Sequence, residues 1–383
     1  MYILSFLFTL QISLSAYVNS TFLTRIISEE YVGILYTIAS FLTLLLLSES
    51  SIILKHFGNK KFVLALLVVN MFSLIGLISS HDPYLIGASF IGLFSTNTLV
   101  FFCIDIFIEH FGDPKTIGRT RSFYLTVENM AWLISPLITA ILITQEGGYL
   151  TIYRIALVAC IATIIGLLFS VRKFADKTYK KTPFLETYRY LKTNRHMLAI
   201  TIIDFILQFF YVWMVVYTPI YLHTHLGFGW EDLGVIFTIM LAPFVMFEFP
   251  VGILIDKYHV RKRLLLCIGI TIMALSTCAI AFTTTHNIGT WALILFLTRT
   301  GAAMVESTAE IYFFTHVTEE DAFLLGIFRD MSPVAYIVAP LIATVVFAFF
   351  PFKYLFVVLT VIILSAFYYI RHLKHNHEPI LPN

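Results

Sequence analysis

The sequence predicts an all-α integral membrane fold of twelve transmembrane helices in two pseudo-symmetric six-helix bundles. Three observations carry that prediction. About twelve runs of 18 or more mostly apolar residues follow one another from Met1 to Ile370. A helix rising 1.5 Å per residue needs such a run to cross a hydrocarbon core of about 30 Å. One long basic connection divides the runs six and six, and short motifs of the first six recur in the second at a near-constant offset.

The expected spans are 2–24, 31–54, 62–79, 83–107, 120–144, 150–171, 197–223, 231–255, 263–284, 289–314, 322–346 and 352–370. The first run lacks a basic leader, so it reads as helix 1 and not as a cleaved signal. Helix 2 holds Glu49, helix 4 Asp105, and helix 5 Glu128 with Pro136. Helix 6 holds only Arg154, near its outer end, and helices 3, 9 and 12 hold no charge in their cores. Helix 7 carries Asp204, helix 8 Glu248, helix 10 Arg299, Glu306 and Glu310, and helix 11 Arg329 and Asp330. The domain expectation is a first bundle over 1–171, a basic linker over 172–196, a second bundle over 197–371 and a tail over 372–383.

Composition excludes a soluble protein. Hydrophobic residues make up 59% of the chain and charged residues 13%, against about 25% charged in soluble domains. Cys103, Cys160, Cys267 and Cys278 fall in apolar runs without metal-ligand spacing. His372, His375 and His377 read as an exposed polar tail. The chain has no nucleotide loop, catalytic triad or zinc motif, and its loops are too short for an enzymatic domain. We therefore expect no enzyme activity, cofactor, metal or nucleic-acid partner. The expected partners are a small-molecule solute, protons and the lipid bilayer, with the chain a monomer.

Basic residues set the orientation. With the linker in the cytoplasm, 21 of the 25 Lys and Arg fall on its side. Both termini are then expected in the cytoplasm, and the protein in the cell membrane.

The repeats are specific. Ser135-Pro136-Leu137-Ile138 matches Ala339-Pro340-Leu341-Ile342 at an offset of 204, and Asp105-Ile106-Phe107 matches Glu310-Ile311-Tyr312 at 205. The loop after helix 2 aligns with the loop after helix 8 at an offset near 201. Parallel six-helix repeats mark one class of alternating-access transporter.

The run Glu248-Phe249-Pro250-Val251-Gly252-Ile253-Leu254-Ile255-Asp256-Lys257, with Arg261-Lys262-Arg263 after it, resembles the loop signature of the major facilitator superfamily. The first copy departs from the signature, with Ser51 in place of its glycine and Lys55 in place of its aspartate, and keeps Phe57-Gly58-Asn59-Lys60-Lys61. In the second copy His259 or Val260 stands where glycine is expected. The segment Ala131–Ala140 resembles the family's antiporter motif with small residues replacing each glycine.

The resemblance implies that helices 1, 4, 7 and 10 line a central cavity. Each bears a polar stripe at helical spacing: Gln11, Ser15 and Asn19; Ser95, Thr98 and Asp105; Asp204, Gln208, Tyr211 and Thr218; Arg299, Glu306 and Glu310. The competing reading of any one stripe is interhelical bonding, worth ~0.6 kcal/mol per bond. Arg299 cannot lose its proton and needs a carboxylate partner or an anionic ligand. Glu306, Glu128 and Asp204 are the candidates. Glu128, Asp204, Glu248 and Glu306 are candidate proton carriers, since buried carboxylates exchange protons near neutral pH. The family also implies cytoplasmic latches: Lys60 or Lys61 with Asp105, and Arg261 or Lys262 with Glu310, beside the motif residues Gly252, Asp256 and Lys257.

The expected function is a secondary active transporter working by alternating access. The first reading is proton-coupled antiport of neutral or cationic compounds. The alternative is proton symport of a sugar or nucleoside. A non-transporting receptor or scaffold on the same fold is the reading from another class.

Overall fold

The computed structural model describes residues 2–111, 117–144, 148–170, 192–316 and 322–374. Among these the regular structure is entirely helical. In order come α1 (Tyr2–Ala16), α2 (Asn19–Thr24), α3 (Glu29–Ser48), α4 (Ser50–Phe57), α5 (Asn59–Ser79), α6 (Pro83–Phe111), α7 (Ile117–Ile143) and α8 (Gly148–Ser170). Then follow α9 (Arg195–Ile220), a π turn (Tyr221–His225), α10 (Trp230–Asp256), α11 (Lys262–Phe282), α12 (Ile288–Thr315), α13 (Ala322–Phe349) and α14 (Tyr354–Ile370). The linker up to residue 191 and the tail from 375, with His375 and His377, lie outside the described residues.

Among the described residues, nine helices are long and apolar enough to cross a membrane. Three shorter apolar helices, Tyr2–Ala16, Val127–Ile143 and Tyr354–Ile370, fill the remaining expected places. Phe72, Val158, Leu275 and Val361 are each more than 60% exposed, a surface that suits lipid and not water. Two spans are broken. Span 1 kinks between α1 and α2, and span 2 breaks at Glu49, whose φ of −96° and ψ of 0° interrupt the helix. Past Pro219, which lacks a backbone donor, α9 loosens into the π turn, closed by Leu226 N–H donating to the Tyr221 carbonyl at 3.0 Å.

The repeat is visible in the backbone. Gly58 turns the chain between α4 and α5 at φ 74°, and His259 turns it between α10 and α11 at φ 50°. These positions differ by 201, the offset at which the loops align. The left-handed region is where glycine fits without a side-chain clash. His259 therefore holds a positive φ at the position where the family motif carries glycine.

The chain forms two compact units. Unit 1 is Met1–Lys181 with Met214–Thr238 and Tyr336–Ala348, and unit 2 is Thr182–Trp213 with Ile239–Ala335 and Phe349–Asn383. The ends of α9, α10 and α13 remote from the linker thus join the first six spans in unit 1. Tyr36 stacks on Tyr336 at 6.0 Å, Tyr17 on Phe237 at 5.1 Å, and Thr37 donates to the Ile337 carbonyl at 3.4 Å. The proline motifs serve this packing. Ser135 in α7 bonds Ser13 of α1 at 2.6 Å, and Pro340 of α13 lies against Gly33 of α3.

In unit 2, α11 and α12 approach through glycines. A Cβ at Gly301 would lie 2.5 Å from the Gly269 carbonyl oxygen. Small residues of this kind are what let membrane helices come close. Nearer the linker-side end, Val251, Ile255 and Leu265 form a buried core with Val260, Met304 and Ile311 against it.

Candidate functional site

Unit 2 gathers Asp204 and Tyr211 of α9, Glu248 of α10, and Arg299 and Glu306 of α12. Arg299 is 2% exposed and Asp204 4% exposed. The Arg299 guanidinium sits 5.2 Å from the ring centres of both Phe210 and Tyr211. It meets no carboxylate at ion-pair distance among the described residues, and its Nε has no hydrogen-bond partner. Tyr211 turns its hydroxyl the other way and donates to Glu306 Oε2 at 2.6 Å. The cation and the acid on α12 are thus linked through one tyrosine of α9, its ring on the arginine and its hydroxyl on the glutamate.

Glu306 also feels the charges of Glu248, Glu310 and Asp204. Asp204 Oδ2 is buried without a partner, and Gln208 lies one turn along on the same helix. The acids thus cluster around Glu306, with Arg299 reaching them through Tyr211. Phe210 was not foreseen. Its signal in the sequence is the adjacent pair Phe210-Tyr211 at the depth of an unpaired arginine.

The remaining candidates are placed elsewhere. Glu128 lies in unit 1 and accepts from the Ser5 hydroxyl at 2.8 Å. On the helix 1 stripe, Gln11 donates to Asn70 of α5 at 2.8 Å, and Asn70 donates to Thr96 of α6. Ser15 bonds its own helix at the Ile12 carbonyl. Asn19 accepts from the Tyr153 hydroxyl of α8 at 2.8 Å. Gln11 and Asn19 therefore hold α1 and α2 to neighbouring helices.

At the linker-side ends, each unit ties its loop to a helix. In unit 1, Asn59 donates to the Cys103 carbonyl of α6 at 3.0 Å. Beside it, Lys60 is partly buried and Lys61 exposed. In unit 2, Lys262 donates to the Thr315 hydroxyl of α12 at 3.0 Å. Arg261, Lys257 and Glu310 are exposed, and a side chain at Gly252 would meet open space. The side chains of Asp105 and Asp256 lie outside the described set.

A membrane carrier of two helical repeats, with a buried cation-and-acid cluster in one of them, is the class these features define. The major facilitator superfamily model matches residues 1–238 and 231–382, and the chain belongs to that family. No curated protein sequence matches it. Among solved structures it is similar to a bacterial homologue of the human lysosomal transporter Spinster, in an inward-facing, unoccupied conformation. The TM-score is 0.76 at 13% identity over 97% of this chain and 95% of that one. It is also similar to a variant of the nucleoside transporter NupG, with a TM-score of 0.72 at 13% identity over 97% of this chain and 98% of that one. At these identities the likeness establishes the fold. The protein is a multi-pass membrane transporter and not an enzyme.

Proposed function

We propose that the protein couples proton movement to the antiport of a small neutral or cationic organic compound, with Glu306 as the proton carrier. The observation that carries this reading is the Arg299–Tyr211–Glu306 relay. An arginine stays charged, so Glu306 keeps one fixed cation nearby and answers to its position. A solute or a rocking motion that shifts the Tyr211 ring disturbs both contacts together. Alternating access then supplies the motion. The acids Asp204, Glu248 and Glu310 around Glu306, against the one cation Arg299, favour cations and neutral solutes over anions. With the basic linker in the cytoplasm, both termini face the cytoplasm and the π turn faces outward.

The test is transport in proteoliposomes under an imposed pH gradient. Substrates are first found by thermal shift at two pH values, since native-state ligands raise apparent stability. Glu306→Gln should bind substrate and lose pH-driven transport, while Arg299→Ala should abolish transport or shift its pH optimum. Full proton-driven transport in the neutral variants of Glu128, Asp204, Glu248 and Glu306 would overturn proton coupling through these acids.

A further inference from the structure

At the end of unit 1 remote from the linker, two cavities of about 370 and 380 Å³ share a wall made of Arg25 and Tyr149. The first adds the polar side chains of Thr21, Thr24, Glu29 and His223 to a mainly apolar lining. The second is mostly apolar, lined by Phe22, Ile26, Leu77, Ile86, Ile143 and Leu150. None of these residues belongs to the cluster around Arg299.

The shared wall is rich in unused donors. The Arg25 guanidinium lies 4.1 Å over the centre of the Tyr149 ring. Among the described residues no acid lies at ion-pair distance from it, and Glu29 instead meets His225 at 3.3 Å. Tyr149 is 7% exposed, and its hydroxyl lies within reach of Thr21, Arg25 and Trp230 without a well-formed hydrogen bond to any of them. Trp230 meets the Tyr149 ring edge-on at 5.9 Å, and its buried indole N–H is also unpartnered. Buried donors in native proteins are nearly always satisfied. A guanidinium with two orphaned donors calls for an anion with several acceptor oxygens, and the adjoining apolar cavity calls for hydrocarbon.

We propose that the paired cavities bind an anionic amphiphile. Its carboxylate or phosphate head takes the donors of Arg25 and Tyr149, and its chain fills the apolar cavity between α2, α6 and α8. Glu29 Oε2 on the first cavity's wall is engaged by His225 Nε2 at 3.3 Å.

The test is titration of the full-length protein in phosphatidylcholine nanodiscs, read by tryptophan fluorescence. Octanoate, ionised at neutral pH, supplies head and chain, acetate the head alone and octanol the chain alone. Octanoate should bind at least about ten-fold more tightly than either. Arg25→Gln, at an exposed position, should weaken octanoate about ten-fold, and Tyr149→Phe, which keeps the ring, a few-fold. Repeating the titration with phosphatidylglycerol present separates the sources: a free acid keeps its affinity, whereas a resident lipid displaces octanoate. Octanol binding as tightly as octanoate, or an unchanged affinity in a normally folded Arg25→Gln protein, overturns the proposal.

Discussion

A methyl group at Gly301 tests the packing of unit 2 where it is tightest. An ideal Cβ there would lie 2.5 Å from the Gly269 carbonyl oxygen and 2.6 Å from the Met273 backbone nitrogen. Ordinary contact begins at 3.4 Å, so α11 would have to retreat by roughly 0.9 Å, the difference between 3.4 and 2.5 Å. Both obstacles are backbone, and no rotamer change relieves them. Overpacking of this kind costs about 3 kcal/mol, and the better helix propensity of alanine returns about 1. The net loss of about 2 kcal/mol corresponds to a melting temperature lower by roughly 2–3 °C for a chain of this length. Gly252→Ala is the control, because a Cβ at Gly252 meets nothing within 4 Å. It should melt at or above the wild type. Detergent-solubilised proteins heated at one fixed scan rate give the comparison. A Gly301→Ala protein melting within about 1 °C of wild type, or a Gly252→Ala protein melting as low as Gly301→Ala is expected to, would refute the packing argument.

Three further outcomes follow from features described above. His259→Gly should raise stability by up to ~1 kcal/mol by removing a side chain from left-handed backbone, and a lower melting temperature would show that the histidine is not strained. Burial, with Lys262 and Lys374, holds the His316 imidazole below its ordinary value of 6.5, against the pull of the Tyr312 carbonyl. The folded protein then takes up that proton less readily than the unfolded chain, so stability falls as pH drops through about 6.5. His316→Gln should flatten that fall in a pH series of melts, and an unchanged profile would clear His316 of the effect. Cysteines placed at positions 174–182 should label from the side opposite to cysteines at Ser80 or Asn287, and labelling of both from one side would overturn the orientation.

The apolar runs made the spans legible, because a bilayer imposes one length on every crossing. The repeat was legible too, and the backbone at Gly58 and His259 carries it where the residue type does not. Side-chain direction was less legible. Gln11 and Asn19 fall at helical spacing, but spacing says only that they share a face, not which helix covers it. Asn70 and Tyr153, which meet them, lie 59 and 134 residues away. Phe210 was missed for a related reason. An arginine was expected to seek a carboxylate, whereas aromatic faces satisfy part of the same need in a desolvated site. Breaks such as Glu49 and the π turn depend on local backbone angles that composition does not encode.

Arg299 lies near the middle of α12 (Ile288–Thr315), within the span across which the membrane potential drops. Carrying one elementary charge across the whole potential is worth about 2.3 kcal/mol per 100 mV. If rocking moves the aqueous boundary from one side of that guanidinium to the other, part of this energy enters every cycle. On the proposed role, Glu306 would cancel the charge when ionised and leave it standing once protonated. The carrier would then be electrically silent in one half of its cycle and voltage-driven in the other. A current would accompany even a neutral substrate.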